Sequence, residues 1–163
     1  MNVTLRKATA ADAPAAWEIR NAAVRQACAG FYDAELLRRW TAGEMPDSFG
    51  AFVERLFYVA EVNQEVVGTG AVNLDNGQVD GIFVRPDLMG QGIGKRMIAF
   101  LVARARAAGL TELRLESTLN AAPFYRRCGF VGDVLGTYQS PRGFSMPCYP
   151  MTLTLTGQAP EPR

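Results

Sequence analysis

The sequence predicts a single mixed α/β domain, and three observations point there. The chain has 163 residues, 48% of them hydrophobic, the size of one domain with a two-layer core of sheet and helices. Short apolar runs with strand periodicity alternate with segments whose apolar residues recur at helical spacing. Two of the helical segments, one opening at Ile93 and one near Asn120, lie between strands as strand–helix–strand crossovers.

Val3 to Lys7 alternates as an opening strand. Thr9 or Asp12 is placed to cap a helix over about residues 12–28, with Trp17, Val24 and Cys28 among its apolar members. Asp33 can cap a second helix, Ala34 to Trp40; the Gly43–Pro46 stretch breaks it, and Asp47 to Arg55 reads as a third. Phe31, Tyr32, Trp40, Phe49 and Phe52 fall close together in this region. Core packing accounts for most of them, and some are candidates to line a substrate pocket. Phe57 to Val62 and Glu65 to Leu74 read as a hairpin turning at Asn63-Gln64, and Asn76-Gly77, a stronger turn pair, leads into a strand from Gln78 to Val84. Ile93, Met97, Phe100 and Leu101 then mark a helix that Gly109 stops. Thr111 to Glu116 alternates with Leu113 and Leu115 inward. A short helix follows, with Asn120 as cap, Pro123 in its first turn and Gly129 as terminator. Phe130 to Tyr138 and Ser145 to Leu155 form a last antiparallel pair. The domain is thus expected to span residues 1–156, with 157–163 a disordered tail.

Composition narrows the chemistry. Net charge is +1, from 17 basic and 16 acidic side chains, so the chain as a whole carries no electrostatic footprint for nucleic acid. No apolar run approaches the length of a membrane span, since Arg104 and Arg106 interrupt the best candidate. The N-terminus lacks a signal-peptide core, which makes a cytoplasmic location the expectation, with Cys28, Cys128 and Cys148 as free thiols. The chain contains no histidine. That removes the Ser-His-Asp triad, the zinc-protease helix and the commonest metal ligand together, so no metal is expected and acid–base work falls to carboxylates, tyrosine, cysteine or water.

The most informative stretch runs from Val79 to Phe100. A β-rich run stops at Pro86, a glycine-dense loop follows, and a helix begins at once. Gly90, Gly92 and Gly94 let the backbone approach a ligand and aim bare N–H groups at it from the positive end of the helix dipole. The first turn of an ordinary helix favours acids; here it holds Lys95 and Arg96, an arrangement suited to a docked phosphate. Two nucleotide loops fail on spacing. A Walker loop needs Ser or Thr after its lysine, where Arg96 stands, and the dinucleotide fingerprint needs two residues between its last glycines, where only Ile93 separates Gly92 from Gly94.

Val84-x-Pro86-x-x-x-Gly90-Gln91-Gly92-Ile93-Gly94 resembles the acetyl-CoA pyrophosphate loop of the GCN5-related N-acetyltransferase superfamily, and Asn120-x-x-x-Phe124-Tyr125-x-x-x-Gly129-Phe130 resembles its second signature. The resemblance covers roughly residues 57–155. Met89 departs from the Gln or Arg usual there. The resemblance implies a mostly antiparallel, twisted sheet of about seven strands with helices on both faces, in which the strands ending near Val84 and Ser117 splay apart around pantetheine. It implies acetyl-CoA as cosubstrate, contacted by Ile82, Phe83, Val84, Met89, Gly90, Gln91, Gly92, Ile93, Gly94, Lys95, Arg96, Asn120, Phe124 and Arg127, with backbone N–H groups of Ile82 to Val84 polarising the acetyl carbonyl. Tyr125 takes the role of acid to the leaving thiolate. Many relatives have Glu where Gln78 stands, so the base falls to Asp80, two residues on and on the same strand face, or to Glu116. Each of these carboxylates also has a plain reading as a solvated or paired surface group.

The function implied is direct transfer of an acetyl group from acetyl-CoA to a primary amine of a small molecule or protein. A sensor module that binds acyl-CoA without turnover is the alternative, and a transferase acting on a protein N-terminus or aminoacyl-tRNA is a third reading. Neither membrane nor nucleic acid is expected as a partner, and a homodimer is a habit of the family. The acceptor pocket is expected between the Asp12–Leu56 region and the Tyr138–Met146 loop.

Overall fold

A computed structural model describes residues 1–155; the tail expected at 157–163 lies outside the described residues. Strands β1 (Val3–Lys7), β2 (Phe57–Val62), β3 (Glu65–Val72) and β4 (Val79–Val84) form one antiparallel sheet in that order. Strands β5 (Glu112–Ser117), β6 (Gly136–Gln139) and β7 (Ser145–Thr154) form a second, in the order β5-β7-β6. Among the described residues, five α-helices complete the fold: α1 (Ala13–Ala27), α2 (Ala34–Trp40), α3 (Phe49–Leu56), α4 (Ile93–Ala107) and α5 (Ala122–Arg127). Among the described residues, no helix is long and apolar enough to cross a membrane.

Strand alternation decides which helix covers which face. Tyr58 and Ala60 of β2 point into a core with Ile93, Met97 and Leu101 of α4, while Phe57 and Val59 point the other way, onto Ala13 and Ala16 of α1 and Val53 and Leu56 of α3. Helix α4 rides directly on β3: a Cβ added at Gly70 would lie 2.6 Å from Cγ of Met97. Leu113 and Leu115 of β5 and Met151 of β7 extend the α4 core across the second sheet.

The two sheets meet at one place and then part. Gln78 and Arg114 form a single parallel bridge, the Arg114 N–H donates to the Gly77 carbonyl at 3.0 Å, and its side chain reaches the Asn76 carbonyl at 2.7 Å. Beyond that bridge no ladder joins β4 to β5, and a cleft opens between them. Gly77 is required twice over here. Its φ is +81°, and a Cβ would lie 2.5 Å from the Glu112 carbonyl oxygen.

Several details differ from the sequence reading. The carboxylate of Asp12 does not cap α1; it turns back to the Thr9 N–H at 2.8 Å and takes a bidentate grip from Arg6 at 2.9 and 3.0 Å, which holds its pKa below the usual carboxylate range. Asp33 precedes α2 without a side-chain cap bond, and α3 starts at Phe49 rather than Asp47. The strand expected over Phe130–Tyr138 shrinks to Gly136–Gln139 plus one bridge between Val131 and Thr152. Val131 and Thr152 exchange both backbone bonds, at 2.8 and 2.9 Å, so the even-numbered residues of β7 face β6. The next residue due to donate is then Pro150, which has no N–H, and the ladder lapses there. The Asn63-Gln64 turn holds as expected, with φ of +52° and +68°, the positive pair a type I′ turn requires.

Gly77→Ala should lower the urea-unfolding free energy by about 2 kcal/mol or more, because it adds a left-handed backbone penalty to a clash with main chain that cannot swing aside. Gly109→Ala, also left-handed at φ +84° but with open space around its Cβ, should cost about 1 kcal/mol. Equal losses at the two sites would mean that the sheet junction does not depend on this close approach.

Candidate active site

The glycine loop is built by its neighbours. Pro86 stops β4 and opens a 3₁₀ turn through Leu88; Gly90 and Gly92 then take left-handed φ of +79° and +86°, and α4 starts at Ile93. The Met89 N–H is already paired with the Pro86 carbonyl at 3.3 Å, whereas no backbone N–H from Gly90 to Lys95 has an acceptor among the described residues. Arg96 begins the helical ladder by donating to the Gly92 carbonyl at 3.1 Å. Lys95 and Arg96 are exposed, without an acidic partner among the described residues, and the first turn holds no acid. Gly94 serves packing instead, since a Cβ there would lie 3.2 Å from the Phe124 ring, which sets the start of α4 against α5.

This loop borders a cavity of about 900 Å³ in the gap between β4 and β5. The Arg85 N–H donates to the Val67 carbonyl at 2.8 Å, which fixes the alternation along β4. The Phe83 N–H is therefore turned to β3, and the N–H groups of Ile82 and Val84 face the cavity, so only two of the three expected carbonyl-polarising amides point the right way. Tyr125 is buried on the opposite wall, with its hydroxyl facing the Ile82 N–H. Burial raises the Tyr125 pKa well above the ordinary phenol value, against the smaller opposing pull of that N–H, and the residue keeps its proton.

Asn120 corrects the sequence reading. Ala121 occupies the N-cap position of α5, and the Asn120 side chain turns inward to the cavity. Its Oδ1 is buried with no hydrogen-bond partner among the described residues, while its amide faces the Cys28 thiol. Burial pushes that thiol up to about 11, so Cys28 is an inert wall residue.

At another part of the wall stand Asp80, Glu116 and Tyr138. Gln78 Nε2 donates to Glu116 Oε1 at 3.0 Å. Asp80 is exposed at the cavity and flanked by protein; partial desolvation, and then the charge of Glu116, raises its pKa above the usual carboxylate value, with Arg55 opposing. Aromatic side chains of Phe31, Trp40, Phe49 and Phe52 close this side, and the β6–β7 hairpin packs Phe144 and Met146 onto α1 and α2.

Comparison with known proteins identifies the architecture. The acetyltransferase (GNAT) domain family matches residues 54–132. Over 142 residues, 78% of this chain and 85% of the relative, the sequence is 30% identical to an aminoglycoside N(6')-acetyltransferase type 1 of Stenotrophomonas maltophilia. The chain belongs to the GCN5-related N-acetyltransferase (GNAT) superfamily. A 40% identical match to an IAA acetyltransferase of Azospirillum brasilense is shorter, covering 81 residues and 45% of this chain, and the chain spans about half (53%) of that relative's length. The solved structure of a GCN5-related N-acetyltransferase from Rhodopseudomonas palustris has a TM-score of 0.87 at 25% identity, covering 95% of this chain and 97% of that one.

Both GNAT signatures read from the sequence border the same cavity, which gathers Ile82, Phe83, Val84, Met89, Gly90, Gly92, Ile93, Gly94, Lys95, Asn120, Phe124, Tyr125 and Arg127 with Asp80 and Glu116. Gln91 and Arg96 lie outside its lining. Arg20 and Tyr138 line it without having been singled out. Arg20 had a legible signal: Trp17, Arg20, Val24 and Cys28 share one helical stripe, and a cation interrupts its apolar side. Among the described residues, no group of three or more Cys, Asp or Glu side chains is placed to hold a metal ion.

The raised Asp80 pKa has a consequence for stability. Between the ordinary and the raised value the native state binds more protons than the unfolded chain, so stability falls as pH rises through that window and stays lower above it. Asp80→Asn should therefore melt at a higher temperature than wild type at neutral pH, with the gain vanishing below the ordinary carboxylate range. A gain independent of pH would show that the cost does not come from ionising this carboxyl.

Proposed function

We propose that this GNAT domain binds acetyl-CoA and transfers the acetyl group directly to a primary amine. One observation carries the reading: Gly90 and the residues from Gly92 to Lys95, whose amides are unpaired at a helix start with two unpartnered cations, border the cleft where β4 and β5 part. That set of donors suits the diphosphate of coenzyme A, with Lys95 as an added point charge at the cavity's edge. The pantetheine arm then lies in the gap between the sheets, where the orphaned Asn120 Oδ1 can accept one of its amide N–H bonds. The N–H of Ile82 or Val84 is positioned to stabilise charge on the acetyl oxygen.

Tyr125 holds a hydroxyl proton at the same wall. Its raised pKa makes complete transfer to a thiolate uphill, since free thiols titrate near 8.5. Its contribution is therefore a hydrogen bond that strengthens as negative charge grows on sulfur: the tyrosine keeps its proton, coenzyme A leaves as the thiolate, and the proton of the attacking amine goes to a separate base. Asp80, solvent-accessible and raised toward neutrality, is the first candidate to take the amine's proton, and Glu116 the second.

Calorimetry with acetyl-CoA and CoA, paired with thiol release across a panel of amines, tests the reading. Gly92→Asp should weaken CoA binding at least about tenfold, by straining the loop and placing a like charge at its mouth. Tyr125→Phe should keep acetyl-CoA affinity and lower kcat by about a hundredfold. Saturable binding with no thiol release from any amine would instead favour the sensor reading.

A further inference from the structure

Two guanidinium groups converge where α1 meets the β6–β7 hairpin. Arg20 lies 4.9 Å from the Trp17 ring centroid and Arg142 lies 6.0 Å from the same centroid. Both donate to the Trp40 carbonyl, Arg20 at 3.3 Å and Arg142 at 2.8 Å. Arg20 also donates to Asn21 Oδ1, and Arg142 to the Ala42 carbonyl. Neither has a carboxylate within ion-pair distance among the described residues. Arg20, the one of the pair that lines the cavity, is fixed in place but left without a counter-charge.

Such an arrangement is unfavourable by itself. Burial first, and then repulsion from Arg142, lower the Arg20 pKa to about 10. Tyr138 lies within electrostatic reach of both sides: burial raises its hydroxyl pKa, Asp80 and Glu116 raise it further, and Arg20 draws it down. The cavity thus has an acidic side at Asp80 and Glu116 and a basic side at Arg20, with Tyr138 between. A neutral or purely cationic amine would satisfy only the first.

We propose that Arg20 receives a carboxylate of the acceptor, so that the acceptor is a carboxylate-bearing primary amine such as an amino acid. Its amine points to Asp80 and Glu116, and its carboxylate takes the planar fork of the guanidinium. A singly charged carboxylate suits the site better than a doubly charged phosphate, because those two carboxylates share the same cavity. This inference rests on the transfer reading above.

The test compares the common amino acids with their carboxamides and with phosphoethanolamine, by thiol release from acetyl-CoA, in wild type, Arg20→Gln and Arg20→Lys. At least one amino acid should exceed its own carboxamide in kcat/KM by about tenfold or more. Arg20→Gln should erase that ratio while the calorimetric affinity for acetyl-CoA stays unchanged, which also shows that the variant is folded, and Arg20→Lys should restore part of it. Carboxamides or phosphoethanolamine turning over as fast as the acids, or a preference that survives Arg20→Gln, overturns this inference and leaves transfer standing. Turnover of other amines in the wider panel with none of these overturns this inference alone, and binding of acetyl-CoA with no turnover of any amine in that panel overturns both.

Discussion

The close approach of Gly77 to Glu112 is the constraint on which the site depends. At that point the first sheet hands one parallel bridge to the second, and the two then separate. A full β4–β5 ladder would satisfy more backbone groups and leave no cleft. With no bridge at all, β5 and its partners would have nothing to align them with the α4 core. One contact at one end gives a hinge-like vertex, and everything that lines the cavity is arranged around it. The amides of Ile82 and Val84 face the cavity for the same reason, since beyond the vertex no strand arrives to pair with them.

The polar groups along the cleft are sorted by charge. The glycine loop gathers backbone donors and Lys95, the middle is lined by Asn120, Tyr125 and the β4 backbone, and the third region sets Asp80 and Glu116 against Arg20. Asn120 Oδ1 and Lys95, left without partners in the fold, therefore face a place where a ligand can supply one. That differs from the Arg6–Asp12–Glu61 cluster, where the charges satisfy one another and tie β1 to β2 and to the start of α1.

How much of this the sequence shows depends on the range of the interaction involved. The loop was legible because its glycines, its cations and the helix behind them are local, all within Val79 to Phe100. The hairpin and helix positions were legible for the same reason. The vertex was not, because only the fold brings Gly77 to Glu112. Asn120 looked like a cap because its residue type and spacing suit one; a turn from Thr118 to Ala121 places Ala121 at the cap instead and sends the asparagine inward. The shortening of β6 was readable only in retrospect, since Pro150 matters through the edge its missing N–H would have faced.

Gln78 bears on which carboxylate does the work. A glutamate there would bring a third negative charge beside Asp80 and Glu116. The amide instead donates to Glu116, occupying one of its oxygens and fixing its direction. Asp80 has no such donor among the described residues, and partial desolvation raises its pKa above the usual carboxylate value, which makes it the stronger base for a proton on an amine. On the proposed reading, replacing the usual glutamate does not remove the base but shifts it two residues along the same strand face. Glu116, held by Gln78, then adds its charge to the desolvation that raises Asp80.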